Sequence, residues 1–243
     1  MRFESVSQFM KAFQELTPRF MPSGSSWAGD ETFASIQNKV TNGDSSNLAK
    51  MYALIEKIDA NVHVEHRTWE ASVIGAYPCV PDYLSGNPLN MRRMLPVVTD
   101  NSPITVHFDS TVSAGVPAND LLKRGLAIIA LVTKLKEIRP VDLVLHNSTR
   151  DKNNKPVMLS IVLDTNPISY AHLLPVLSNP AFVRLLMFEY MIQKMNLPSI
   201  PFGDIKKTLV LQSSDIVIPA LYGVWTEEPV KWINKQLAKY QTD

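Results

Sequence analysis

The sequence has one cysteine, Cys79, and only nine glycines in 243 residues. A single thiol excludes an internal disulfide framework and any zinc site built on several cysteines. So few glycines leave neither a Gly-x-Gly-x-x-Gly turn nor a Walker-type loop, so the commonest nucleotide cradles are missing. Net charge is nearly absent too. Lys and Arg number 24 against 23 Asp and Glu, a formal +1, and no global field recruits nucleic acid or an anionic membrane. No apolar run approaches the roughly 20 residues needed to span a bilayer. Met1-Arg2-Phe3-Glu4 lacks the basic-then-apolar order of a secretory leader, so a cytoplasmic protein, in whichever host cell expresses it, is the economical expectation. Catalytic signatures are also missing. Ser25-Ser26 and Ser213-Ser214 lack the Gly-x-Ser-x-Gly setting of a nucleophile elbow. Cys79 has no histidine motif beside it, and a buried small apolar residue accounts for it more simply.

What remains is ordinary for a globular chain. Hydrophobic residues make up 45% and charged residues 19%, and the length suits one large domain or two small ones. Helical spacing of Phe3, Val6, Phe9, Met10, Phe13 and Leu16 predicts a helix over residues 1–20. Two more follow at 32–40 and 46–58, then a strand-like stretch at 63–69 that residues 71–77 extend. From Pro78 to Pro88, three prolines and a glycine exclude a regular helix or a central strand. Its apolar residues still let it pack as an ordered loop, followed by Arg92 and Arg93.

Beyond residue 103 the pattern changes to strand (104–108), helix (119–138) and strand (141–145). A hairpin-like link over 146–155 leads to a strand at 157–163. Helices are expected around 170–177 and 181–195, a strand at 208–211, and a closing helix at 228–240. A strand, a long helix and an apolar strand imply a parallel pair covered on both faces. The expected fold is therefore α/β, with a central, mainly parallel sheet and flanking helices. Residues 1–95 form a helical and loop-rich extension packed on an α/β core at 96–243. A ferredoxin-like α+β core is the alternative, because 141–145 and 157–163 also suit a plain antiparallel hairpin.

The stretch richest in chemistry is Asp109-Ser110-Thr111-Val112-Ser113, between the first of these strands and the long helix. The Asp109 carboxylate and the Thr111 and Ser113 hydroxyls on one turn are the oxygen ligands that hard divalent cations take. Capping or turn chemistry explains the same residues, although Pro117 implies that the helix starts a few residues later. Among the five histidines, His63 and His66 fall on opposite strand faces, and His107 shares the strand that leads to Asp109. None is assigned as a general base.

Two resemblances rest on these residues. Ser26-Trp27-x-Gly29, the Gly75–Arg93 segment, Arg124-Gly125 with Ala130-Leu131-Val132, and Asn179-Pro180-Ala181-Phe182-x-Arg184 look like a family of uncharacterised, mostly phage-encoded proteins. That resemblance implies a setting rather than a mechanism. Residues 103–215 distantly resemble a von Willebrand factor A-type domain, a doubly wound α/β fold that often binds Mg²⁺ at the top of its sheet. The resemblance assigns Asp109, Thr111 and Ser113 to the first metal motif and Asp215 to a later one. It departs from the family pattern at Val112, where glycine is usual, and in lacking an Asp-Gly pair after the later strand.

The functional expectation is a non-enzymatic phage accessory protein that binds another macromolecule, an unidentified phage or host protein. Its working surfaces are the Asp109 loop, with Mg²⁺ as the one implied cofactor, and the Pro78–Arg93 loop, with Tyr83, Arg92 and Arg93 as contacts. The second expectation is a nucleic-acid-binding factor in phage transcription or replication, since aromatics and arginines share this segment. A metal-dependent hydrolase comes third, and the second carboxylate cluster it requires is missing.

Overall fold

A computed structural model describes residues 1–19, 25–58, 69–94, 102–113, 115–153, 155–195, 197, 216–221 and 223–240. The chain begins with a two-residue strand, β1 (Arg2–Phe3), and a helix, α1 (Val6–Gln14). The helical spacing over residues 1–20 predicts a single helix here. Instead Ser5 stops it, with its hydroxyl accepting the Gln8 N–H as an N-cap, and that frees Arg2–Phe3 to pair. Helices α2 (Phe33–Asn42) and α3 (Leu48–Glu56) follow.

Residues 69–94 build a small antiparallel sheet in the order β2 (Trp69–Ser72), β4 (Met91–Met94), β3 (Tyr77–Pro78). A short helix, α4 (Val80–Leu84), lies between β3 and β4. This corrects the expectation that the prolines exclude a helix here. Pro81 sits in the first turn, where its missing N–H has no partner to lose. The expected strand at 63–69 lies outside the described residues except for Trp69.

The larger sheet is assembled from β5 (Ile104–Asp109), β6 (Val141–Arg150), β7 (Pro156–Leu163), β8 (Ile216–Ile218) and β1. Its order is β1-β7-β6-β5-β8. Three of its four pairings are parallel, and β6–β7 is an antiparallel hairpin. The fold is thus mixed α/β with a mostly parallel five-stranded sheet. The hairpin on which the ferredoxin-like alternative rests is present, but β5 runs parallel beside β6, with α5 (Ala118–Lys136) between them in sequence. The expected link at 146–155 is mostly strand. β6 continues through Asn147, Ser148, Thr149 and Arg150, which pair with β7 back to Pro156. The expected strand at 208–211 lies outside the described residues, and β8 follows it.

Strand alternation sorts the two faces of this sheet. Phe3, Ile104, Val106, Phe108, Leu143, Leu145, Leu159 and Ile161 join one continuous apolar core. Apolar residues of α1, α2, α3 and α5 belong to the same core, as do those of α6 (Tyr170–Leu177), α7 (Phe188–Lys194) and α8 (Pro229–Leu237). A π-helical turn at Phe182–Met187 leads into α7, where the sequence reading has one regular helix. Helix α5 is the centre of this layer. Every residue from Leu126 to Val132 is buried, which requires cover all round, and α3, α6 and α8 pack on it. Each fully buried Ile or Leu here contributes about 2 kcal/mol. Gly125 allows α6 to come so close that a Cβ there would lie 2.4 Å from Leu177 O.

The opposite face of the sheet carries Thr105, His107, Asp109, Asp142, Val144, His146, Ser148 and Ser160 at the alternate positions. Val144 is buried yet stands apart from the continuous core. Among the described residues no single helix is long and apolar enough to cross a membrane.

Candidate functional site

The carboxyl end of β5 brings Asp109 to the point where parallel sheets of open α/β folds present their loops. Asp109 is 8% exposed, and its Oδ1 accepts the Thr111 N–H at 3.0 Å, an Asx-type turn. Burial pushes its carboxyl pKa up, against the lowering effects of the Thr111 bonds and the Arg124 charge. The Thr111 hydroxyl accepts the Ser148 N–H at 3.0 Å and faces Ser148 O at 3.3 Å, so it extends the β5–β6 ladder. Ser110 Oγ donates to His146 O at 2.7 Å. Ser113 N–H donates to Leu221 O, and Leu221 N–H to Thr111 O, which carries the β5–β8 pairing past the strand ends.

None of these side chains caps α5. Its N-cap is Pro117, which makes no side-chain cap bond. The loop chemistry is therefore that of a turn stitched to both neighbouring strands. Thr111 Oγ1 bonds to Ser148 and Asp109 Oδ1 accepts the Thr111 N–H, and among the described residues no three of His, Cys, Asp and Glu come together. Asp215 lies outside the described residues.

Two buried arginines support this loop from below. Arg184 Nη1 donates to Trp27 O at 2.6 Å, its Nη2 donates to Val116 O at 2.9 Å and Ser113 O at 3.3 Å, and its guanidinium lies over the Trp27 ring. Arg124 donates to Pro219 O, in the loop after β8, and covers the Phe108 ring. Burial lowers each guanidinium pKa to about 10. Three of the four motifs that carry the first resemblance thus converge, all but the Gly75–Arg93 segment. Trp27 is held by Arg184, Gly29 at φ +72° lies against Pro180, and Gly125 lies against Leu177–Ser178. They are joints of the scaffold.

A chain of side-chain hydrogen bonds crosses the polar face beside Asp109. His107 Nδ1 is 2.8 Å from His146 Nε2, and His146 Nδ1 is 2.9 Å from Ser160 Oγ. Burial, then the positive charges of His107 and Arg2, lower the His146 pKa to about 4. One consistent arrangement has neutral His146 donating from Nδ1 to Ser160 and accepting at Nε2 from His107. Sequence reasoning treated these histidines singly. The usable signal was parity, because His107 and His146 fall on the same face of strands in register.

The second candidate surface is of a different kind. Among the described residues eleven large hydrophobics are exposed, and seven lie between 73 and 89: Val73, Ile74, Tyr77, Val80, Tyr83, Leu84 and Leu89. Ile74 and Leu84 are each 78% exposed and Tyr83 67%. Tyr77 is on β3, Val80, Tyr83 and Leu84 are on α4, and the others flank the strands, so one small unit carries them all. The arginines beside them are already paired. Arg92 Nη2 meets Asp82 Oδ2 at 2.9 Å, and Arg93 meets Glu70 Oε2 at 2.8 Å. Structure therefore brings Tyr83, Arg92 and Arg93 into one unit, but with both guanidiniums neutralised by carboxylates.

A family model described as Domain of unknown function (DUF7192) matches residues 1–238. No curated protein and no solved structure matches the chain.

Proposed function

Since the chain belongs to the family described as Domain of unknown function (DUF7192), which names no activity, we propose a function from its own surface: it is a non-enzymatic protein that docks another protein through residues 73–89. One observation carries this reading. Seven large apolar side chains stand exposed on a unit of under thirty residues, held by backbone pairing rather than by a core of their own. Large apolar side chains gathered exposed on one small unit mark association sites, and rigid tyrosines are preferred anchors within them. The paired state of Arg92 and Arg93 favours a protein over a nucleic acid. A phosphate would have to displace Asp82 or Glu70 before gaining a guanidinium. An accessory role in the phage setting that the sequence resemblance implies fits this reading.

The test replaces Ile74, Tyr83 and Leu84 together with serine. All three side chains are exposed, so stability should change by only about 0.5 kcal/mol per site. Wild-type protein should retain a protein from the cells that produce it, resistant to nuclease, and the folded triple variant should lose it. Equal capture by both proteins refutes the reading, as does capture that nuclease abolishes.

A further inference from the structure

Elsewhere on the molecule, α3 and the start of α8 flank α5 and leave a groove of about 330 Å³. Leu54, Leu126 and Pro229 line it with apolar surface, and Lys50, Lys57 and Lys123 stand around it. All three lysines are exposed. Lys50 on α3 and Lys57 at its C-cap are seven residues apart, two turns or roughly 10 Å along the axis, with Leu54 between them on the same side. Among the described residues Lys123 forms an ion pair with Asp120 at 4.0 Å, whereas Lys50 and Lys57 form none, and the Glu228 carboxylate caps α8, accepting the Val230 and Lys231 N–H groups. Glu56 is adjacent in sequence but does not line the groove.

A lysine alone on a helix is usually just solvated. Here three converge on uncovered apolar surface, and that combination has a specific complement. We propose that this groove docks an acidic amphipathic helix of a partner protein, distinct from the docking surface at 73–89. Its apolar residues meet Ala53, Leu54 and Pro229, and carboxylates two turns apart meet Lys50 and Lys57, the helix-in-groove mode of recognition. Among the described residues no arginine and no aromatic side chain lines the groove, so these offer neither bidentate phosphate contacts nor a stacking platform for bases.

The probe is a fluorescein-labelled, helix-forming peptide of Ala, Leu and Glu, with glutamates seven residues apart flanking leucines. Its anisotropy with the full chain should report micromolar binding that weakens as salt rises from about 50 to 500 mM. Lys50→Glu/Lys57→Glu should weaken it about tenfold. The same double variant should bind a peptide with lysine in place of each glutamate, which wild type rejects. That exchange separates charge recognition from any loss of structure. Lys152→Glu/Lys194→Glu, at exposed lysines that do not line the groove, should bind as wild type does. The proposal is overturned if the acidic peptide does not bind, if charge reversal leaves its affinity unchanged, or if the exchange fails. A preference for oligothymidylate or for phosphatidylserine vesicles over the peptide overturns it equally.

Discussion

His146 makes the protein's stability depend on pH within a defined window. Its pKa is lowered to about 4, while the unfolded chain retains the ordinary histidine value of roughly 6.5. Above pH 6.5 the ring is neutral in both states and nothing is lost. Between 6.5 and 4 the unfolded chain binds a proton that the folded protein refuses, so stability falls with pH, by about 3 kcal/mol in total. That is a large fraction of the roughly 5–15 kcal/mol typical of a domain. Burial supplies most of the effect, since His146 is 5% exposed, and His107 and Arg2 add repulsion. Asp109 acts in the opposite direction, because its raised carboxyl holds a proton more tightly in the folded state. The assay must therefore isolate the histidine. Urea unfolding followed by circular dichroism, from pH 7.5 to 4.5, is compared for wild type and His146→Gln, which can still bond to Ser160 but cannot ionise. The gap between the two stabilities should shrink or reverse as pH falls, by about 2 to 3 kcal/mol over the range. A gap that stays constant across that range refutes the reasoning.

Gly125→Ala should lower the melting temperature, although alanine is normally the better helix former by about 1 kcal/mol. Here the new methyl would press on the backbone of Leu177 and Ser178, and an unchanged or higher melting temperature would show that α6 can shift freely. Thr111→Val keeps the shape but removes the hydroxyl shared with Ser148, and should cost about 1–3 kcal/mol in denaturant unfolding. Millimolar Mg²⁺ should raise the melting temperature of wild type no more than that of Asp109→Asn, because Asp109 Oδ1 and Thr111 Oγ1 already accept backbone N–H groups. A shift confined to wild type would instead make Asp109 a ligand.

The β5–α5–β6 unit was legible because each signal was strong and local: an apolar strand, nineteen helical residues with a broad apolar surface, and a second apolar strand. The second half of β6 was not, because Asn147, Ser148 and Thr149 read as a polar link. Their backbone pairing with β7 and the burial of Asn147 depend on the sheet around them. β1 is two residues long and is specified by its parallel partner 158 positions away, a contact with no local signature. At the candidate sites, the prolines of 78–88 marked an irregular segment, but the exposure of seven apolar residues between 73 and 89 was not legible, since the same residues read as able to pack. The ion pairs that neutralise Arg92 and Arg93 did not, since Asp82 and Glu70 reach them only through the β2–β4–β3 pairing. The His107–His146 contact joins residues 39 apart and exists only in one strand register.

The large sheet also sets an order in which this protein can be made. β5, α5, β6 and β7 form one continuous stretch of sequence, whereas the two outer strands come from residues 2–3 and 216–218. During synthesis, β1 must wait for some 150 residues before its partner exists. The β5 edge stays bare until β8 leaves the ribosome, and α8 comes later still. Such an edge is a template for pairing with a neighbouring nascent chain. A stalled or truncated product lacking β8 should therefore aggregate, while one that ends just beyond it should not.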